Sequence, residues 1–299
     1  MEAGQLHGRR GRGLGLTLKT EKSEEETMNS FLHFHVTVRG ARHIRKGTAC
    51  QDCSRSSAFG LSAVAAAADG HGDIRYFRSG TGAKFASAAA VKAIREFVLR
   101  EGESAFPKDT EEKICQLKKN IILNWNRKVA AHLADHPFTA EELAPLSETR
   151  RTNLLGGKYT ESAYGTTLLA AAVTPAYWFG LQIGDGDGLA LYDGGQAVSL
   201  PREAGLVGNI TTSLCEADAF YHFHHVFRAG TPHAVLLSTD GVKNSFNTGE
   251  NYRNFMDKVA LEFSAGSQSE TEDSLRDFLA EMTEKGSGDD LSIAGVVRP

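Results

Sequence analysis

The sequence predicts an α+β protein: a four-layer α-β-β-α sandwich, two mainly antiparallel sheets face to face with helix pairs outside. Three observations carry this. Apolar runs of strand length and long amphipathic stretches follow in the order strands, two helices, strands, two helices, strand. Asp193-Gly194-Gly195 between two such runs is a hairpin signal. Regular βαβ alternation is absent, and there is no internal repeat.

The N-terminal stretch falls outside this pattern. It is Gly- and Arg-rich (Gly8-Arg9-Arg10-Gly11-Arg12-Gly13), then acidic (Glu24-Glu25-Glu26), and has no apolar signal-like run. Such a segment cannot bury much surface, so residues 1–27 are expected to be a disordered tail and 28–299 a single domain.

Residues 31–39 mix aromatic and β-branched side chains in partial alternation and read as a strand ended by Gly40. A polar, cation-rich stretch follows, with Arg42, His43, Arg45 and Lys46, then Cys50-Gln51-Asp52-Cys53. Residues 61–68 form an apolar run that stops at Asp69-Gly70-His71-Gly72. It reads as a buried strand, expected to pair with the first. Between 81 and 98, Ala83, Ala86, Ala90, Ala93, Ile94 and Phe97 recur at helical spacing. Past Pro107, Asp109 and Glu112 resemble a capping box. The helix it would open carries Ile114, Leu117, Ile121, Trp125 and Val129 on one stripe and ends at Pro137.

Residues 138–162 read as a polar excursion. Strands are expected at 166–173 and 177–183, the second stopping at Gly184-Asp185-Gly186. A hairpin follows over 189–200, then a loop over 201–230 that covers a site. The strand at 234–237 ends in Ser238-Thr239-Asp240-Gly241. Helices at 252–263 and 274–284 precede Gly288-Asp289-Asp290 and a last strand at 291–297.

The composition excludes several classes. With 299 residues, 41% of them hydrophobic, the chain can bury one large core. No apolar run reaches membrane-spanning length, and a net charge of -4 offers no basic field to nucleic acid. Four scattered cysteines fit a reducing compartment, and the cytoplasm is the expected location.

The chemistry is carried by repetition. Asp69, Asp185 and Asp240 each follow an apolar run and each precede a glycine; Asp289 and Asp290 lie just before one, and Asp52 shortly before the key strand. A single Asp-Gly is an ordinary turn. Several carboxylates converging would repel one another severely without cations between them. Hard oxygen donors suit Mg2+ or Mn2+, and several carboxylates suggest two ions, an arrangement made for displacement at phosphorus.

Asp69-Gly70-His71-Gly72, Gly165-Thr166-Thr167, Gly184-Asp185, Ser238-Thr239-Asp240-Gly241 and Gly288-Asp289-Asp290-Leu291-Ser292, in that order, resemble the motifs of the metal-dependent type 2C serine/threonine protein phosphatases. The resemblance spans 36–297. Gln51-Asp52, Thr239-Asp240-Gly241-Val242 and the stretch 208–214 look like a bacterial branch. It implies that Asp69 bridges two ions, with the Gly70 carbonyl and Asp52 on one side and Asp240 and Asp289 on the other. Asp185 and Asp240 would hold a third, weaker ion, and Asp290 is the poorer ligand. The implied reaction is hydrolysis of phosphoserine or phosphothreonine by a hydroxide bridging the ions, with His71 as general acid to the leaving alkoxide. The implied partner is a phosphoprotein, of the kind a serine/threonine kinase produces, and the protein is expected to act as a monomer.

Three features depart from that pattern. Gln51 stands where the family often has Glu, which weakens one side of the metal site. The family's phosphate-binding arginine falls on Gly47, so Arg42, Arg45 or Lys46 would substitute. Asp73 adds negative charge near His71 and is expected to raise its pKa. These departures motivate a second function class, a phosphatase-fold binding or regulatory module with weak turnover.

Other patterns read blandly. Cys50 and Cys53 have no second pair for zinc and read as buried thiols. His222, His224 and His225 show no third metal ligand and read as a polar loop. Residues 184–188 suggest a calcium loop but lack its glycine and its bidentate glutamate.

Overall fold

A computed structural model describes residues 31–205 and 211–299; the tail expected at 1–27 and residues 208–210 of the bacterial-type stretch lie outside them. Strands are β1 (Leu32–Val38), β2 (Cys53–Phe59), β3 (Ser62–Ala68), β4 (Leu168–Val173), β5 (Tyr177–Ile183), β6 (Asp187–Leu191), β7 (Ala197–Ser199), β8 (His224–Ala229), β9 (Ala234–Ser238) and β10 (Leu291–Val297). Helices are α1 (Ala41–Lys46), α2 (Ser79–Glu101), α3 (Thr110–Asp135), α4 (Ala140–Leu143), α5 (Glu148–Leu155), α6 (Asp240–Lys243), α7 (Gly249–Ala265) and α8 (Gln268–Lys285), with two short 3-10 turns.

Two antiparallel sheets, β1-β10-β9-β6-β7 and β2-β3-β4-β5-β8, form the middle layers. Side chains alternate across each strand, so every central strand is buried on both faces. In β3, Ala63, Ala65 and Ala67 point into the sheet–sheet core with Leu169, Ala171, Trp178, Leu237 and Ala294. Val64, Ala66 and Ala68 point out, under α2 and α3, where Ile94, Phe97, Ile121 and Trp125 pack. The other sheet is covered by Met256, Val259, Phe263 and Leu279 of α7 and α8. This double burial is why residues 61–68 read as a continuous apolar run rather than an alternating one.

Three expectations are corrected. The first strand does not pair with β3: β1 pairs with β10 in register Leu32↔Val297, in the opposite sheet. The neighbour of β3 is β2, an edge strand whose Cys-Ser-Arg-Ser-Ser run is too polar to read as a strand. Asp109 does not cap α3: at φ 53° it makes no side-chain cap bond. The 201–230 loop contains β8, the other edge strand of that sheet. The cation-rich stretch after β1 is helical, and Gly47 closes it in the left-handed region at φ 69°, bonding the His43 and Ile44 carbonyls. An arginine at position 47 would be strained there.

The polar excursion at 138–162 is an ordered insert. Arg78, at the start of α2, anchors it: its guanidinium makes a bidentate pair with Glu142 (2.7 Å each) and donates to the His136 and Pro137 carbonyls and the Tyr164 hydroxyl. Its face lies over the Phe138 ring at 4.7 Å. A buried arginine needs such saturation to offset its desolvation.

Candidate metal centre

The ends of β3, β5 and β9 and the start of β10 open at one edge of the sandwich, on a cleft of about 530 Å³. Asp69, Gly70, His71, Asp185, Asp240 and Asp289 line it, with Arg42 and Lys46 at the rim. Asp185, Asp240 and Asp289, which lie 116, 171 and 220 positions after Asp69 in the sequence, are thus brought to one place by topology. Of the three candidate phosphate-binding cations, Arg45 does not reach the cleft.

The backbone under Asp69 is clamped. Its N–H donates to the Thr167 hydroxyl (3.0 Å), and its carbonyl accepts the Thr167 N–H (2.9 Å) and the Thr166 hydroxyl (2.8 Å). Nothing in the sequence of Gly165-Thr166-Thr167 shows this role, which lies in hydroxyl and backbone contacts across the sheet edge. Thr166 is fixed in turn, its N–H donating to the Ser213 hydroxyl (3.0 Å). The Thr212 hydroxyl accepts the Gly184 N–H (3.0 Å), so the segment after β7 is stitched to both motifs. A Cβ on Gly70 would lie 2.6 Å from the Gln51 carbonyl, which accepts the Gly70 N–H. Gln51 thus positions Gly70 through its backbone, whatever its side chain.

Asp52 sits behind the cleft, buried, with Oδ2 accepting the Thr239 hydroxyl (2.8 Å). Asp290 accepts the N–H groups of Gly40 and Gln51 (2.6 Å each) and faces His43 Nδ1 at 2.9 Å. Those bonds consume both oxygens and make Asp290 a structural tie. Asp289 instead points outward to Arg42, at 2.6 Å.

The electrostatics follow from crowding. Burial, then the charges of Asp52 and Asp240, push the Asp69 carboxyl well above the usual range. Asp52 is raised by burial and Asp290, Asp185 by burial and Asp240, and Asp240 chiefly by burial. Among the described residues, no lysine or arginine pairs within 4.0 Å with Asp52, Asp69, Asp185 or Asp240. Buried acids without cations are costly unless neutralised by protons or metals.

This donor set fits divalent ions. It offers hard carboxylate and carbonyl oxygens, and no thiol lines the cleft among the described residues. Among the described residues, no three of its carboxylates offer oxygens that all lie within 4.8 Å of one another. Among the described residues, the donors that come together within 4.8 Å are Glu216, Asp218 and His222, elsewhere on the surface. Within that trio His222 faces Asp218 at 3.3 Å, and its other ring nitrogen meets Glu203 at 2.9 Å. The third partner missing from the reading of His222 is therefore a carboxylate.

His71 packs edge-on against Tyr76, with centroids 4.7 Å apart, and its backbone N–H donates to the Gly165 carbonyl (3.2 Å). A Cβ on Gly165 would meet His71 Cδ2 at 2.8 Å, so only glycine admits this packing. The expected effect of Asp73 on His71 is reversed. Arg75 bonds the Asp73 carboxylate through both its backbone N–H and Nε (2.8 Å each) and cancels its charge. Burial, then Arg75, lower the His71 pKa to about 4. Cys50 and Cys53 are free and only partly buried; the Cys50 thiol donates to the Asp52 carbonyl (3.8 Å).

Comparison with known proteins agrees with this architecture. The model of the protein phosphatase 2C family matches residues 39–280, and the chain belongs to that family. Solved structures share its fold, three of them as follows. One is the catalytic domain of the Mycobacterium tuberculosis serine/threonine phosphatase PstP, in complex with two manganese ions (TM-score 0.53, 16% identity, 89% of this chain and 97% of that one). Another is the Staphylococcus aureus serine/threonine phosphatase Stp1 (0.56, 15%, 89% and 94%). The third is Pseudomonas aeruginosa PppA, described as a regulatory component of type VI secretion (0.55, 15%, 90% and 98%). Comparison with curated proteins by sequence gives no match. Among the described residues, no helix is long and apolar enough to cross a membrane.

Proposed function

We propose that this chain is a divalent-metal-dependent phosphatase acting on phosphoserine or phosphothreonine in proteins. The observation that carries the reading is the set of acidic groups, drawn from separate strand ends, that share one cleft without cationic partners for Asp69, Asp185 and Asp240 among the described residues. Asp69, Asp240, Asp289 and the Gly70 carbonyl would hold two ions, Mg2+ or Mn2+, with Asp52 behind them and Asp185 serving a third. Bound ions would supply Lewis acidity and a lowered pKa for coordinated water. The manganese ions of PstP support the choice of Mn2+ as the test ion. The free thiols fit a reducing compartment such as the cytoplasm.

The protein's own groups would do the rest. His71 is neutral near pH 7 in the metal-free protein, with its pKa near 4. An arriving phosphate dianion favours its protonated form, which can then give a proton to the departing alkoxide. Arg42 is the cation best placed for a phosphoryl oxygen: it lines the cleft and is held there by Asp289. A metal at Asp289 would release its guanidinium toward substrate.

The test is hydrolysis of a phosphothreonine peptide and of p-nitrophenyl phosphate with and without Mn2+. Metal-stimulated turnover supports the reading; its absence would favour a binding module. A second outcome concerns Arg42. Arg42→Ala should raise the KM for the phosphopeptide about tenfold or more, the worth of one charge-assisted bond. The same variant should bind Mn2+ no more weakly than wild type, because Asp289 loses a competitor. Steady-state kinetics and a metal titration check both halves.

A further inference from the structure

A second cavity, of about 710 Å³, opens beside the cleft. Three parts of the chain wall it: α3 through Ile122, the insert through Arg150 and Lys158, and the segment after β7 through Leu214 and Phe220. Its size suits side chains rather than a whole domain. Arg75 lines both cavities, so a chain leaving the cleft on that side passes over Arg75 into this one.

The chemistry of the walls is specific. Arg150 donates through Nη2 to the Arg75 carbonyl (3.3 Å) and the Ser162 hydroxyl (3.0 Å). Its Nε is buried and has no hydrogen-bond partner among the described residues. A buried guanidinium donor left unpaired asks for an acceptor. Lys158 is exposed at the rim and makes no ion pair among the described residues. The acids on the same wall are Glu161 and Glu216, and Glu216 already accepts the Ser213 N–H at 3.2 Å. Below the cations the floor is apolar, with Leu214 and the buried Leu154.

We propose that this cavity is a specificity pocket for an acidic side chain of the phosphoprotein substrate, a few residues from the phosphorylated one. The proposal rests on the phosphatase reading of the neighbouring cleft. The Arg150 guanidinium edge that lines the cavity and the Lys158 ammonium receive the carboxylate, while its methylenes lie on the apolar floor. Arg75 guides the backbone between the two cavities. The insert thereby becomes the part that selects substrate, and Arg78 fastens it to the start of α2.

The test uses the full chain with Mn2+ and phosphothreonine peptides that differ only in carrying Glu, Ala or Lys at the residues flanking the phosphothreonine. The Glu peptide should exceed the Lys peptide in kcat/KM by about tenfold, through KM. Lys158→Glu should invert that order. Ala217→Trp, which fills the cavity from an exposed position without removing a bond, should bring the ratio to unity. A folding defect would lower kcat on all three peptides alike and leave their ratio intact. Equal kcat/KM on the three peptides, or a preference that survives both variants, overturns the proposal. Turnover of p-nitrophenyl phosphate by the wild type reports the catalytic reading separately. If wild type hydrolyses nothing, fluorescence anisotropy of the same labelled peptides decides. Tighter binding of the Glu peptide that Lys158→Glu abolishes supports the pocket, and equal binding of Glu and Lys peptides overturns it.

Discussion

Asp69→Asn should abolish Mn2+-stimulated turnover and at the same time raise the melting temperature of the metal-free protein. The two effects share one cause. Asp69 lies among Asp52, Asp185 and Asp240, and burial and their charges hold its pKa above the carboxylate range. A folded-state pKa raised above the unfolded value contributes stability that is complete below the unfolded pKa, near ~3.9. That contribution is lost as pH rises through the folded value. At pH 7 the metal-free fold therefore carries a penalty, which the neutral amide removes. The clamps on residue 69 use its backbone, so Thr166 and Thr167 hold the variant as they hold the aspartate. Each ~1 kcal/mol gained should appear as about 2–4 °C in Tm. The rate should fall at least about 100-fold, since losing even an outer partner of a ligand costs 10–100-fold. Mn2+ should stabilise wild type by mass action, about 2.7 kcal/mol at a hundred times Kd, and the variant far less. Calorimetry in EDTA and in Mn2+ separates these effects. A variant with lower Tm in EDTA, or with undiminished Mn2+ stabilisation, would count against the centre.

His71→Gln should depend on the leaving group. A serine or threonine alkoxide needs a proton to depart, whereas p-nitrophenolate, whose acid is far stronger, does not. A positioned general acid is worth about 100- to 10,000-fold. The variant should lose that factor on a phosphothreonine peptide and less than about tenfold on p-nitrophenyl phosphate. Equal losses on both substrates would assign His71 to positioning or to the metals. The pKa near 4 adds a second check. In the metal-free protein, histidine NMR should find His71 neutral at pH 6, and Arg75→Gln should move its titration upward because a like charge has been removed. An unshifted midpoint would mean that burial alone sets it.

The legible parts of this fold are those where one physical requirement acts alone. β3, β4, β5 and β10 are covered on both faces, so their side chains had to be small or apolar, and their limits read closely from sequence. The acidic side chains are visible for a related reason: Asp69, Asp185 and Asp240 end apolar runs, and Asp289 and Asp290 precede one, that would otherwise have no use for a charge. The edge strands β2 and β8 were missed because one long side faces solvent, and solvent tolerates Arg55 or His224. Partner choice was also hidden. Nothing in residues 31–39 says that their hydrogen bonds go to residues some 250 positions away rather than to the next strand.

At the site, electrostatics were harder to read than topology. Asp73 is close to His71 in sequence, and from sequence its charge looked decisive. Two residues later Arg75 consumes that charge, and the sign of the effect changes. Gly47 looked like a missing arginine until α1 gave it another task, closing a helix in a conformation that suits glycine. Arg42, on the first turn of that helix, reaches the cleft instead.

Two Mn2+ ions held a few ångströms apart give an exchange-coupled electron paramagnetic resonance spectrum, distinct from the six-line signal of isolated ions. Titration of the EDTA-stripped chain with Mn2+ should saturate at two tightly bound ions with that coupled signature, lost in Asp69→Asn. Saturation at one ion, or only uncoupled six-line signals at every ratio, would contradict a shared centre built from Asp69, Asp240 and Asp289.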